Sequence, residues 1–145
     1  MSHHAIEKVI YAYATAIDAG DFAAVAELFR QGKICTSQSE AVGYAAVLNM
    51  YQTSTALYEN GTPCTQHITS NLSIDIEGNT ALCHSYFTVM QALPDFPLQA
   101  IISGHYEDVM ACAEGCWQFR ERRIVPTLLG DLSRHLLFDL TRLQK

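Results

Sequence analysis

Thr65-Gln66-His67-Ile68-Thr69-Ser70-Asn71-Leu72-Ser73-Ile74-Asp75-Ile76-Glu77 is the stretch on which the fold turns. Apolar residues alternate here with Thr, Ser, Asn and Asp at a period near two, the repeat of a strand with two unlike faces. Gly78-Asn79 supplies a hairpin turn, and Thr80 to Leu93 reads as the returning strand. Pro94-Asp95-Phe96-Pro97 breaks the chain before a third long strand, Leu98 to Ala113. Glu114-Gly115 turns again, and Cys116 to Pro126 makes a fourth strand.

Before Gly61 the period is that of helices. Ile6, Val9, Ile10, Tyr13, Ala14 and Ile17 recur at three- and four-residue steps, which predicts one apolar stripe on a helix over residues 3 to 18. Gly20 ends that helix, and Asp21 caps a short second one from Phe22 to Phe29. A short strand is expected near Lys33 to Ser37 and a third helix from Glu40 to Tyr58, closed by Gly61-Thr62-Pro63. The tail from Leu128 to Lys145 reads either as a short helix capped by Asp131-Leu132-Ser133 or as a continued edge. Helices followed by an antiparallel meander make an α+β order and argue against a parallel sheet.

Composition bounds the rest. At 145 residues the chain is expected to be one domain, 1–145, with 49% hydrophobic and 17% charged residues. A chain of this size buries roughly 70% of its unfolded surface and needs no metal or disulfide to hold it. The net charge is −6 with scattered basic residues, so nucleic acid is not the expected partner. No stretch approaches the ~18 apolar residues of a membrane span, and the N-terminus has no signal-peptide plan, so a cytoplasmic location is expected. Five cysteines without a C-x-x-C pair read as free thiols. His67, His84 and His105 fall on three consecutive strands, yet no close-spaced histidine pair accompanies them, so no metal is expected. Phosphate loops, a nucleophile elbow and a dinucleotide fingerprint are also missing.

Several motifs carry a resemblance. Tyr13 and Asp18 in the first helix, Asp21-Phe22, the strand around Gln66-His67-Ile68-Thr69-Ser70-Asn71, Gly104-His105-Tyr106 and Gly115-Cys116-Trp117-Gln118-Phe119 together resemble the SnoaL-like group of the nuclear transport factor 2 superfamily. That group contains scytalone dehydratase, hexachlorocyclohexane dehydrochlorinase, ketosteroid isomerase and polyketide cyclases. The resemblance implies a cone-shaped, cystatin-like α+β fold, with N-terminal helices packed in a curved, mainly antiparallel sheet. It implies a homo-oligomer, dimer or trimer, and a small apolar ligand. It also implies that Asp18 and His67 match an aspartate–histidine catalytic pair, while Tyr13 falls near the dehydrochlorinase's basic residue and His105 near the dehydratase's second histidine.

An imidazole with a pKa near ~6.5 accepts a proton close to neutrality, and a carboxylate on its other nitrogen fixes the tautomer. The expected reaction is proton abstraction followed by elimination or isomerisation on an apolar, cyclic or aromatic metabolite, without a cofactor. Simple alternation puts Thr65, Thr69 and Asn71 on the His67 face, with Ile68, Leu72 and Ile74 opposite. It groups His105 with Ile101 and Ser103, and Trp117 and Phe119 with Glu121 and Arg123. Tyr13, His105, Arg123 and Trp117 are therefore the candidate substrate-binding groups beside the catalytic candidates Asp18 and His67. Plainer readings stand beside these: Asp18 as a helix-end residue, His67 as a structural histidine, His105 as a rim residue, Tyr13 and Trp117 as core. The alternatives to an enzyme are a non-catalytic ligand-binding or assembly module, or a subunit resembling the β-subunit of ring-hydroxylating dioxygenases.

Overall fold

In a computed structural model that describes residues 2–139, the helical half precedes the sheet in the order the periodicities predict. Helices α1 (Ser2–Asp18) and α2 (Phe22–Leu28) come first, then strands β1 (Lys33–Cys35) and β2 (Glu40–Val42) and helix α3 (Gly43–Ser54). Four long strands follow: β3 (Thr65–Glu77), β4 (Thr80–Leu93), β5 (Phe96–Ala113) and β6 (Cys116–Leu129). One curved, open six-stranded sheet results, in the order β2-β1-β6-β5-β4-β3, with the helices packed against it. The α+β, cystatin-like architecture expected from the sequence is the one observed.

Helix α1 buries Ile6, Ile10, Tyr13 and Ile17 of the stripe read from the sequence, and Ala16 beside them, while Val9 and Ala14 are partly buried. It stops because Gly20 takes φ 74°, letting the Gly20 amide donate to Ile17 O and the Asp21 amide to Ala16 O. No side chain fits at Gly20, since a Cβ there would lie 2.1 Å from the Gly61 carbonyl oxygen. Asp21 then caps α2 by accepting from the Ala24 amide at 3.0 Å.

Two expectations change in the middle of the chain. Residues 40–42 form the strand β2, antiparallel to β1, and α3 starts only at Gly43, where φ 84° turns the chain. Strand β1 pairs in parallel with β6, so the sheet is mixed, although every other pairing is antiparallel. Of the expected tail, Leu128 and Leu129 continue β6, and from Gly130 on it is neither helix nor strand as far as it is described. It forms a turn and one bridge between Leu136 and Thr55, and residues 140–145 of the expected tail lie outside the described residues.

Bulges decide which side chains face the helices. On β3 the pairing passes from Ser70↔Tyr86 to Ser73↔His84, so one extra residue sits on β3, where Asn71 takes φ 52°. Alternation therefore resets: Thr65, His67 and Thr69 face inward before the bulge, and Leu72, Ile74 and Ile76 face inward after it. On β6, Val109↔Glu121 is followed by Met110↔Phe119, which leaves Arg120 as the extra residue. Phe119 and Arg122 consequently share the buried face, while Arg123 is exposed on the other.

The core on that inner face is strongly aromatic. Phe29 stacks on Phe119 at 4.7 Å and Phe87 on Tyr106 at 4.5 Å between centroids, with the Tyr13 ring edge-on to Phe29, Tyr106 and Phe119. A cation lies inside it. Arg122 is fully buried, forks onto Asp108 at 2.8 and 2.9 Å, and rests 3.7 Å from the Tyr106 ring centroid. Burial opposes the guanidinium charge, and the Asp108 carboxylate outweighs it and holds Arg122 ionised. Asp108→Ala strands that charge without a counter-ion and should cost about 3–5 kcal/mol. The double change Asp108→Leu with Arg122→Met should recover most of the loss, and urea unfolding of the three proteins checks both statements.

Candidate functional site

Asp18 is the last residue of α1, and its carboxylate reaches the first residues of β3. Oδ2 accepts the His67 amide at 2.7 Å, while Oδ1 accepts Thr65 Oγ1 at 2.8 Å and bonds His67 Nδ1 at 2.6 Å. Burial pushes the Asp18 pKa up, but the His67 ring, its amide and Thr65 together outweigh burial and hold the carboxyl below its ordinary value. A carboxylate only accepts, so the hydrogen between the two groups belongs to Nδ1. In the neutral ring Nε2 then carries the lone pair that a general base needs.

His67 lies in the wall of a cavity of about 300 Å³ between the inner sheet face, α1, α3 and the tail. Tyr13, Ile17, Met50, Tyr51, Phe87, Val89, Ile102, Tyr106 and Ile124 line its body, and exposed Ser37, Gln38 and Ser39 mark where it meets solvent. None of the described lining residues is Asp, Glu, Lys or Arg. The Tyr13 and Tyr51 hydroxyls bond each other in this wall. Burial raises the pKa of both, and for Tyr51 the neighbouring Tyr13 raises it further, so both are neutral phenols near pH 7. The site's polar groups are thus uncharged except for the Asp18–His67 pair.

Three of the sequence candidates meet at this cavity and three do not. Tyr13 and His67 line it, and Asp18 stands behind His67. His105 faces the opposite side of the sheet, stacked on His84 at 5.1 Å and bonded to Glu107 at 2.8 Å. Its neighbours Gly104 and Tyr106 are the ones that face inward, opposite Phe87 and Ser85. Arg123 is exposed because the β6 bulge turns Arg122 inward instead. Trp117 packs at the far end of the core, across from Cys112, and is not part of the cavity wall. The binding roles expected of His105, Arg123 and Trp117 therefore have no geometric basis. Strict alternation misplaced Arg123 by one residue because it carries no information about bulges.

One cavity group was not foreseen. His135 comes from the tail, is 7% exposed, and lies edge-on to His67 with ring centroids 6.3 Å apart. The sequence leaves the tail open between a short helix and an edge, so it assigns Arg134-His135-Leu136 no face, and only the histidine itself stands as a signal. Its pKa is lowered from 6.5 to about 4, by burial first and by nearby His67 second, with Asp18 opposing the shift.

The shift fixes a sign. Between about pH 6.5 and about 4 the unfolded chain binds a proton at His135 that the folded chain does not, so folding loses stability as pH falls through that window. The slope from this one group is at most about 1.4 kcal/mol per pH unit. His135→Phe should remove it, while the Asp18 contribution is lost only lower, as pH falls through the carboxyl's depressed value. Urea midpoints of both proteins from pH 7 to pH 4.5 measure the difference.

Residues 2–123 match the family model described as SnoaL-like domain. No curated protein matches the chain. Among solved structures, it superposes on a putative scytalone dehydratase from Novosphingobium aromaticivorans DSM 12444 with TM-score 0.73 and 23% identity, covering 90% of this chain and 87% of that one. LinA aligns with TM-score 0.73 and 16% identity over 91% of this chain and 90% of LinA. A protein of unknown function with a cystatin-like fold from Nostoc punctiforme PCC 73102 aligns with TM-score 0.74 and 19% identity, over 90% and 94%. At these identities the structural likeness speaks to the fold.

Proposed function

The chain belongs to the SnoaL-like domain family, and from that premise we propose that it is a cofactor-independent lyase or isomerase acting on a small, neutral, cyclic or aromatic metabolite. The observation that carries this reading is the 2.6 Å bond between His67 Nδ1 and Asp18 Oδ1 at the wall of an apolar cavity. His67 is the base, with Nε2 taking a proton from a carbon beside an electron-withdrawing group. Asp18 orients the ring and stabilises the imidazolium as it forms. In an elimination, the C–H electrons become the new double bond as the neighbouring C–O bond breaks. The departing hydroxide then takes the proton back from His67 and leaves as water. In an isomerisation the same proton returns to a different carbon.

Tyr13 and Tyr51 supply polarisation. Two phenolic hydrogens serve one hydroxyl–hydroxyl bond, so one O–H is left over to meet a substrate oxygen. A lining with no Asp, Glu, Lys or Arg among its described residues suits a neutral ligand, since a charged one would be desolvated without a partner. A neighbour described as a putative scytalone dehydratase supports elimination as the first chemistry to test.

The same apolar lining also suits a module that binds and does not convert. That reading expects thermal protection by ligand and indifference to Asp18→Asn. Homo-oligomerisation belongs to this proposal too: Ile68, Leu82 and Tyr86 expose apolar side chains on the outer sheet face, which a second copy would cover.

Bicyclic β-hydroxyketones are the proposed probes, with dehydration followed by the absorbance of the conjugated enone. His67→Ala should lower kcat by about 10²–10⁴-fold, the usual contribution of a general base, with the fold intact by circular dichroism. A fully active His67→Ala protein removes the proposal. Asp18→Asn should lower kcat more than it raises KM, because the carboxylate touches the base and not the substrate.

A further inference from the structure

His135 is held in place more firmly than its irregular backbone suggests. Its amide donates to Leu132 O at 3.1 Å, and its carbonyl accepts the Ala56 amide at 2.8 Å. The Leu137 amide donates to Ser54 O at 2.9 Å, and the Leu136–Thr55 bridge lies between these two bonds. The preceding carbonyl, of Arg134, accepts both the Tyr58 hydroxyl and Nε2 of the buried Gln91, the latter at 3.1 Å. A segment with neither helix nor strand is thus stapled to α3 and to β4, and the staple presents one imidazole to the cavity.

That ring is left unfinished by the protein. Nδ1 of His135 is buried with no hydrogen-bond partner among the described residues, although buried polar atoms are nearly always paired. A neutral imidazole carries one hydrogen, and the tautomer with it on Nε2 leaves only a lone pair sealed at Nδ1, whereas the other tautomer would seal a donor. Burial keeps the ring neutral at ordinary pH, which suits a donor that must not repel the imidazolium forming on His67. Among the cavity's polar side chains, His135 is the one in ring contact with the base.

We propose that His135 is a substrate-contacting hydrogen-bond donor, which holds the oxygen of a neutral ring ketone or ring alcohol beside the His67 base. This rests on the reading of the cavity as a proton-transfer site and narrows its substrate class to oxygenated, uncharged rings. No bond to His135 forms or breaks. As the proton passes to His67, the C–H electrons stay behind and move toward the carbonyl carbon, the oxygen gains charge, and the His135 N–H stabilises it. The tail therefore completes the site that the helix end and the sheet begin.

Calorimetric titration with 1-tetralone and with tetralin, its hydrocarbon counterpart, tests the assignment. Wild-type protein should bind the ketone more tightly, and His135→Phe should cut ketone affinity roughly tenfold, the worth of one hydrogen bond, with tetralin affinity kept. His135→Gln, which retains an N–H, should restore part of the preference, and His67→Gln should leave it in place. The tetralin arm reports whether each variant still has a folded cavity. An unchanged preference in His135→Phe, no preference in wild type, or loss of the preference in His67→Gln overturns the proposal. Deuterium exchange beside the carbonyl of 1-tetralone, in D2O, separates this proposal from the one it rests on. Exchange absent in wild type while the ketone preference depends on His135 would remove the base and leave the donor standing.

Discussion

One carboxylate, that of Asp18, ties the helical half of the molecule to the sheet at the point where chemistry is proposed. It accepts a backbone amide, a hydroxyl and an imidazole, all from residues 65–67. Hydrogen bonds to an ionised acceptor are roughly twice as strong as neutral ones, so this cluster is costly to break. It also sits where a helix C-terminus disfavours negative charge, and three donors offset that penalty. The end of α1 and the start of β3 are thereby held together, and the His67 ring has one orientation available. The base proposed at His67 would need placing to within a fraction of an ångström, and the helix end and strand start hold its ring together.

The second constraint is that the cavity stays neutral although a cation lies next to it. Arg122 is surrounded by the Tyr13, Tyr106 and Phe119 rings, and Asp108 takes its charge. Tyr13 and Tyr106 separate that ion pair from the ligand space while lining the space themselves. A buried pair of this kind adds little to stability compared with an apolar replacement of the same shape. What it provides here is geometry, because a guanidinium gripped by one carboxylate and three rings fixes the aromatic side chains around it.

Much of this was legible in advance, and the misassigned faces of β3 and β6 have one cause. The apolar stripe of α1, the cap at Asp21, the hairpins at Gly78-Asn79 and Glu114-Gly115 and the four long strands follow from periodicity and turn chemistry, which are local. Asp18 and His67 were named from a resemblance, and the structure brings their side chains into contact. The assignment of faces failed wherever an extra residue interrupts a ladder. Counting by twos from His67 puts Leu72 and Ile74 outside, and counting on from Phe119 puts Arg123 inside; Asn71 and Arg120 each shift the count by one. Bulges are properties of two strands in register, and a single strand's sequence does not contain its partner.

A resemblance named the acid and the imidazole, whereas the sequence by itself determined the class of fold and the order of its long elements. Local patterns suffice for those, because hydrophobic period and turn residues act over a few neighbouring positions. Tertiary structure alone decided that β1 runs parallel to β6, that Arg122 and not Arg123 enters the interior, and that His105 points away from the cavity. It also decided that His135, 68 positions along the chain from His67, turns its ring toward it. Such meetings are set by sheet register and by where an irregular tail finds carbonyls and amides to bond. Both depend on partners that are distant in the chain, and no window of residues holds them together.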